Sequence, residues 1–262
     1  MPITQWICTG CGGREVALDH FALTPCGEKV VHPDYAAAVL ASANKDRPGV
    51  HVSTILGCPR KAAIEATEPY SVDPMTMNAM ETGTAWHAHM EKSSVSPKDC
   101  EVQLDGFVAG IRITGKTDRL EPPTTVCDWK HGGDFSKKYA KEGPKETHQA
   151  QLSLYAELCS QTLGWRPTIG RIWHHFSGQD KDAMFPSEFP IWALEKVLAF
   201  RPGGGTYTVL QLLQQANGYF SGHLSWETLP LAGETHMYGQ KTACNYCGVF
   251  GICKTQATGA PF

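Results

Sequence analysis

Long apolar runs are missing from this 262-residue chain, and none of its hydrophobic stretches approaches the roughly 20 residues that a membrane helix needs. No membrane partner is expected. An excess of basic charge is missing too: 23 Lys and Arg stand against 26 Asp and Glu, a formal net charge of -3. Phosphate affinity is carried by clustered Lys and Arg, so any nucleic-acid site has to be a local patch. The start of the chain, MPITQWICTGCGG, has neither the basic n-region nor the apolar h-region of a secretory signal, and the cytoplasm is the expected compartment. Repeats and low-complexity tracts are also absent, which leaves an ordinary globular composition, 42 % hydrophobic and 19 % charged, with ample material for a core. The small size argues against a built-in ATP motor, and no Gly-x-x-x-x-Gly-Lys-Ser/Thr phosphate loop is expected. Cysteine, by contrast, is plentiful. Ten are many for a reducing compartment, where they more often bind metal or do chemistry than form disulfides, so their spacing matters more than their number.

Residues 1–50 begin rich in Gly and Cys without sustained periodicity and are expected to form a small N-terminal appendage; residues 51–262 are expected to form the main domain. HVSTILGCPRKAAIEA predicts a helix capped by Ser53 or Thr54, and DPMTMNAMETGTAWHAHMEK a second, longer one. From Glu101 the pattern changes. EVQLDGFVAGIRITGKTDRL reads as a hairpin and TTVCDWK as a short buried strand after a Pro-Pro turn. KETHQAQLSLYAELCS has helical spacing, GRIWHHF resembles a strand, and PIWALEKVLAF and TYTVLQLLQQANGYF are expected as helices. Helices followed by a small sheet with a crossover helix indicate an α/β or α+β domain.

If IRITGKTDRL and TTVCDWK pair in one sheet, Asp118 and Asp128 lie side by side at one edge, where their repulsion calls for a cation. Hard divalent ions such as Mg2+ take oxygen ligands, and one or two carboxylates with waters and a substrate phosphate are enough. The strand period of two sends Asp128 and Lys130 to the same face. Lys130 is then placed to orient an attacking water or to stabilise charge on phosphorus-bound oxygens.

The set Gly115-x-x-Asp118, Asp128-x-Lys130 and Gln151-x-x-x-Tyr155 resembles the PD-(D/E)xK nuclease core, in particular its RecB-like branch, which includes the AddB nuclease domain and CRISPR-associated RecB-like exonucleases. The resemblance implies a restriction-endonuclease-like α/β fold, a small mixed sheet flanked by helices. It implies a catalytic set of Asp118, Asp128, Lys130, Gln151 and Tyr155, the last two one helical turn apart on a face turned to the site. GTAWHAHME matches the family helix with its Gly-x-x-x-His pattern and nominates His87 as a metal ligand, with His89 and Glu91 close enough to compete. Asp118, Asp128, His87 and the Trp129 carbonyl would hold one or two Mg2+ or Mn2+ ions. Asp128 stands where many RecB-like members carry Glu.

The tail CNYCGVFGIC spaces Cys244, Cys247 and Cys253 as C-x2-C-x5-C, and Cys58 lies far upstream in STILGCPRKA. Four thiolates suit an iron-sulfur cluster or structural Zn2+. In the RecB-like branch this arrangement holds a 4Fe-4S cluster that staples the two ends of the domain. Near the start, Cys8-x2-Cys11 has knuckle-like spacing, with Cys26 as a third zinc ligand and His20 or His32 as candidates for the fourth.

DFSKKYAKEGPK sets Lys137, Lys138, Lys141 and Lys145 around Phe135 and Tyr139, a mixture of charge and rings suited to single-stranded nucleic acid. By resemblance the chain is a metal-dependent DNA nuclease, an exonuclease on single-stranded ends in DNA repair, recombination, replication or CRISPR and phage DNA processing. A helicase, recombinase or CRISPR integration protein is its implied partner. Three other readings stand beside it: a catalytically inactive DNA-binding or scaffold protein, a zinc-stabilised interaction module, and an RNA nuclease.

Overall fold

Ala109 and Gly110 both have positive φ, 50° and 78°. That is the backbone of a two-residue hairpin turn whose twist matches the flanking strands. It joins the two longest strands of a computed structural model that describes residues 3–8, 11, 13–23, 31–43, 50–176, 183–198, 207–229, 249 and 252–253. In chain order the elements are β1 (Ile3–Cys8), β2 (Arg14–Val16), α1 (His20–Leu23), α2 (Pro33–Ala43), β3 (Val50–His51), α3 (Val52–Ile55), α4 (Pro59–Thr67), β4 (Tyr70–Val72), α5 (Asn78–Lys92), β5 (Cys100–Val108), β6 (Ile111–Glu121), β7 (Thr125–Gly132), α6 (Asp134–Ala140), α7 (Glu146–Leu163), β8 (Ile169–Phe176), β9 (Met184–Pro190) and α8 (Val209–Phe220).

The main sheet has the order β3-β6-β7-β8-β9, with β5 paired to β6 off that path. It is mixed: β5–β6, β6–β7 and β8–β9 run antiparallel, β3–β6 and β7–β8 parallel. A parallel step needs a crossover, and α7 supplies it between β7 and β8. Its 18 residues bury Ala150, Leu152, Leu154, Tyr155, Leu158 and Cys159, and it stops at Gly164, whose φ of 76° is the left-handed cap that glycine takes most readily. These side chains join Val52, Ile55, Leu104, Ile113, Val126 and Ile172 in the main core, which α8 closes with Val209, Leu212 and Leu213. The architecture is the restriction-endonuclease-like α/β fold, a sheet flanked by helices.

A second, three-stranded sheet has the order β2-β1-β4. In it the first strand of the chain pairs in parallel with Tyr70–Val72, over a core of Ile3, Trp6, Phe21, Val31, Val39 and Val72. Among the described residues no helix is long and apolar enough to cross a membrane.

Four local expectations are corrected. The helix expected over HVSTILGCPRKAAIEA is two helices, because the residue before proline avoids the helical region. Cys58 is extended (φ -72°, ψ 116°) and caps α4, with Pro59 in its first turn. The cap of α3 is His51, not Ser53 or Thr54: its side chain accepts from the Ser53 N–H. The helix expected in PIWALEKVLAF is replaced, over its described residues, by turns and a bridge between Val197 and Thr208. Tertiary hydrogen bonds override the local preference there, since the Ile191 N–H donates to Thr168 O and the Trp192 N–H to Ser153 Oγ. Finally, GIRITGKT (110–117) has the Gly-x-x-x-x-Gly-Lys-Thr spacing of a phosphate-binding loop. It runs instead through the turn and into β6, not from a strand into a helix, so its amides serve the sheet.

Gly115 lies where β6 passes under α7, and a Cβ there would meet Tyr155 Cε1 at 2.5 Å and Val52 Cγ2 at 3.1 Å. Gly115→Ala is expected to lose roughly 1–3 kcal/mol in urea denaturation by overpacking. Gly83→Ala, in open space on α5, should be neutral or stabilising.

Candidate active site

Strand β6 carries β5 along one edge and shares its other edge between two partners. β3 pairs at Ile113 and Thr114, and β7 at Arg119, Leu120 and Glu121. The β6–β7 ladder ends at Arg119↔Cys127, and Asp118 sits at the fork just beyond. Its Oδ2 accepts the Trp129 backbone N–H at 2.6 Å, taking the place of the ladder bond that the fork removes. The Thr117 hydroxyl donates to Cys127 O at 3.3 Å on the same side. A backbone amide thus orients Asp118, which is 8 % exposed.

Helix α5 brings His87 to this fork. Its Nε2 lies 3.0 Å from Trp129 O, and its Nδ1 lies 3.2 Å from Asp118 Oδ1 and 3.5 Å from Glu101 Oε1. Both ring nitrogens face acceptors, which favours the doubly protonated ring until a cation takes one nitrogen. Burial works against that charge, but the bonds to Asp118 and Glu101 outweigh it and hold the imidazole up to about 10.

Glu101 was not among the residues that the sequence pattern selects. The hairpin register, Cys100↔Arg119 and Val102↔Thr117, sets it across from Asp118. Register counting from the Ala109-Gly110 turn is the sequence signal that could have found it. Its φ is 51°, a left-handed backbone that costs a non-glycine residue roughly 1–2 kcal/mol. Burial raises its carboxyl, but the contacts with His87 and Lys116 bring it below the ordinary range. His87, Glu101 and Asp118 each offer a ligand atom, all within 4.8 Å of one another.

Asp128 and Lys130 share a face of β7, as the period of two requires. Asp128 is 2 % exposed, and the Lys130 ammonium donates to its Oδ1 at 2.8 Å and lies 2.7 Å from Oδ2. Burial disfavours the charged lysine, but the attraction of Asp128 and Asp118 raises it. From α7, Gln151 Nε2 reaches Asp128 Oδ1 at 3.5 Å and the Tyr155 hydroxyl at 3.3 Å. His148, one turn before Gln151, is pushed down to about 3 by burial and by Lys130, so it faces the pair as a neutral ring.

Two buried carboxylate oxygens here, Glu101 Oε1 and Asp128 Oδ2, have no hydrogen-bond partner; the second touches Lys130 only as a charge contact. Hard, buried, unsatisfied oxygens beside an imidazole fit a divalent cation of the Mg2+ or Mn2+ type. A cleft of about 1150 Å³ between α5 and the β5–β6 hairpin opens onto Glu101, Asp118, His87 and Tyr155.

Lys137, Lys138 and Tyr139 lie on α6 and Lys141 caps it, and this helix packs on β7 and β8, directly after the strand that carries Asp128 and Lys130. The Lys138 ammonium stands 5.9 Å from the Tyr139 ring. Cys58 caps α4 through its sulfur, which accepts from the Lys61 N–H at 3.5 Å. Cys253 packs against the Ala63–Ile64 cluster; burial raises its thiol, and the nearby Arg60 guanidinium only partly offsets this. Cys8, Cys11 and His20 form a second group of potential ligands within 4.8 Å. Cys26, Cys244 and Cys247 lie outside the described residues.

Residues 71–254 match the family described as the PD-(D/E)XK nuclease superfamily. Among solved structures, SSO0001 superposes with a TM-score of 0.50 at 16 % identity, over 83 % of this chain and 91 % of its own. An alkaline exonuclease from Laribacter hongkongensis gives a TM-score of 0.43 at 13 % identity, over 72 % of this chain and 90 % of its own. No curated protein matches the chain.

Removing Lys130 leaves Asp128 charged and buried. Lys130→Met is expected to cost a few kcal/mol, near the low end of the roughly 3–5 kcal/mol of a broken buried pair because water reaches the lysine. Burial raises the Asp128 carboxyl, so the folded variant favours its protonated form, and its stability should fall as pH rises above the ordinary carboxylate range. Urea denaturation across pH, with Asp128→Asn/Lys130→Met recovering the loss, checks this.

Proposed function

The chain belongs to the PD-(D/E)XK nuclease superfamily, whose members use divalent metal ions, and on that premise we propose that it hydrolyses phosphodiester bonds in DNA, working from single-stranded ends. The observation that carries the proposal is the convergence on one fork of the Asp118 carboxylate, the Asp128–Lys130 pair and the Gln151–Tyr155 face. Three separate elements supply these groups.

His87, Asp118, Asp128 and the Trp129 carbonyl are the residues that would hold the ion. When bound, Mg2+ or Mn2+ supplies charge stabilisation to a phosphoryl oxygen and lowers the pKa of water. Lys130 stays an ammonium against Asp128 and offers its remaining donors to the oxygens of the scissile phosphate, where charge develops as water adds to phosphorus and the bond to the 3'-oxygen breaks. Gln151 holds the Asp128 carboxylate and the Tyr155 hydroxyl in register, so the acid and the substrate-facing ring move as one unit. DNA as substrate, and its approach as a single strand, are supported by Lys137, Lys138, Lys141 and Tyr139 on and just after α6, beside the strand that bears Lys130.

A 4Fe-4S cluster on Cys58, Cys244, Cys247 and Cys253, with zinc as the alternative, belongs to the same proposal. Its support is the packing of Cys253 against Ala63 and Ile64 of α4, the helix that Cys58 caps. Such a clip closes a long loop and so removes much unfolded-chain entropy. Cys8, Cys11 and His20 fit a separate Zn2+ by the softness of their donors.

With Mn2+ the purified protein is expected to shorten single-stranded DNA from an end, and Lys130→Gln to slow this about 10²–10³-fold, the loss typical of one charge-stabilising donor. Intact ends, or an Asp128→Ala variant that still cuts, would sink the nuclease assignment. Protein prepared without oxygen should carry iron and sulfide in the stoichiometry of one 4Fe-4S cluster, lost in Cys58→Ala; zinc with no iron would replace the cluster by a zinc site.

A further inference from the structure

The buried ligand atoms do not gather where the Asp128-x-Lys130 signature alone would put them. Lys130 and Gln151 both donate to Asp128 Oδ1, which leaves Oδ2 against the lysine only as a charge. The group that closes to within 4.8 Å is His87, Glu101 and Asp118, with Glu101 coming from β5, outside every element of that signature. Two carboxylates directly across an antiparallel pair repel each other unless a cation stands between them. The Glu101 side chain is 7 % exposed and Lys116 engages its Oε2, while its Oε1 is buried without a hydrogen bond and faces His87 Nδ1 at 3.5 Å. The cleft opens onto this group and does not reach Asp128.

We propose that Glu101 is a further ligand of the divalent cation, joining His87, Asp118 and Asp128 around it. This extends the metal-dependent reading above and rests on it. Glu101 Oε1 points at the ion position because its oxygen neighbour Oε2 is pinned by Lys116, which makes Lys116 the residue that orients the ligand.

Mn2+ binding to the full chain, measured by calorimetry and by the electron paramagnetic resonance of free Mn2+, tests this without reference to turnover. Glu101→Gln, nearly the same shape without the charge, and Glu101→Ala are expected to weaken Mn2+ binding more than about 100-fold, beyond the roughly 10- to 100-fold loss typical of a residue that only supports a ligand. Lys116→Met, which frees the second oxygen, should bind Mn2+ at least as well as the unaltered chain. If Glu101 served only as a partner of Lys116, Lys116→Met and Glu101→Gln would behave alike, and that result overturns the proposal. So does a loss of Mn2+ affinity in Glu101→Gln smaller than about 100-fold, the range that a merely supporting contact gives. An unaltered chain that binds no Mn2+ removes the metal-dependent reading as well, whereas one that binds and cuts with Glu101→Gln unchanged removes Glu101 alone.

Discussion

The hydrogen bond from the Trp129 backbone N–H to Asp118 Oδ2, 2.6 Å long, holds the site together because it stands where a strand ladder fails. A strand that loses its neighbour leaves a buried donor that costs about 1–3 kcal/mol if unpaired. Asp118 satisfies it with a side chain instead of a carbonyl. That substitution lets β6 serve β3 over its first half and β7 over its second. It also fixes the acid without using its other oxygen, and it turns the Trp129 carbonyl outward to His87. The fork therefore sets two oxygens and an imidazole around one point before any ligand arrives.

Charge then has to be balanced in a small volume. Three carboxylates, Glu101, Asp118 and Asp128, face three cationic groups, His87, Lys116 and Lys130. The pairing is local: His87 lies against Asp118 and Glu101, Lys116 against Glu101, and the most buried acid, Asp128, has its cation two residues along β7. Two carboxylate oxygens are left over with no hydrogen bond, and they mark where the balance is incomplete. The cost of the left-handed Glu101 backbone falls in the same place, which is where strain is expected when geometry serves a site and not the sheet.

Behind the fork, α7 couples the core to the chemistry. The helix buries Leu152, Leu154 and Leu158 in the main cluster and also carries His148, Gln151 and Tyr155 towards Asp128. Gly115 allows this closeness, since Tyr155 lies against its Cα. A glycine in the middle of a strand is weak strand material. Its presence here makes sense only with the helix packed above it.

Much of this was legible from residues alone. The Ala109-Gly110 turn, the alternation of β5 and β6, the period of two that joins Asp128 to Lys130, and the one-turn spacing of Gln151 and Tyr155 are local properties, and local geometry decides them. Pro59 was equally legible as a breaker, although helical periodicity on both sides of Cys58 hid it. What periodicity could not supply was distance between elements. The loss of helix at Pro190–Leu198 follows from hydrogen bonds to Thr168 and Ser153, far away in the chain. Glu101 looked like the first residue of a strand; only the register against β6, the rotation of its backbone and the arrival of α5 make it a neighbour of Asp118 and His87. The amino-acid sequence by itself determined which groups of this protein can do chemistry and which face of each element they share. The tertiary structure alone decided which of them meet, because a fork between strands and the helix packed across it are contacts between segments whose separation no local pattern encodes.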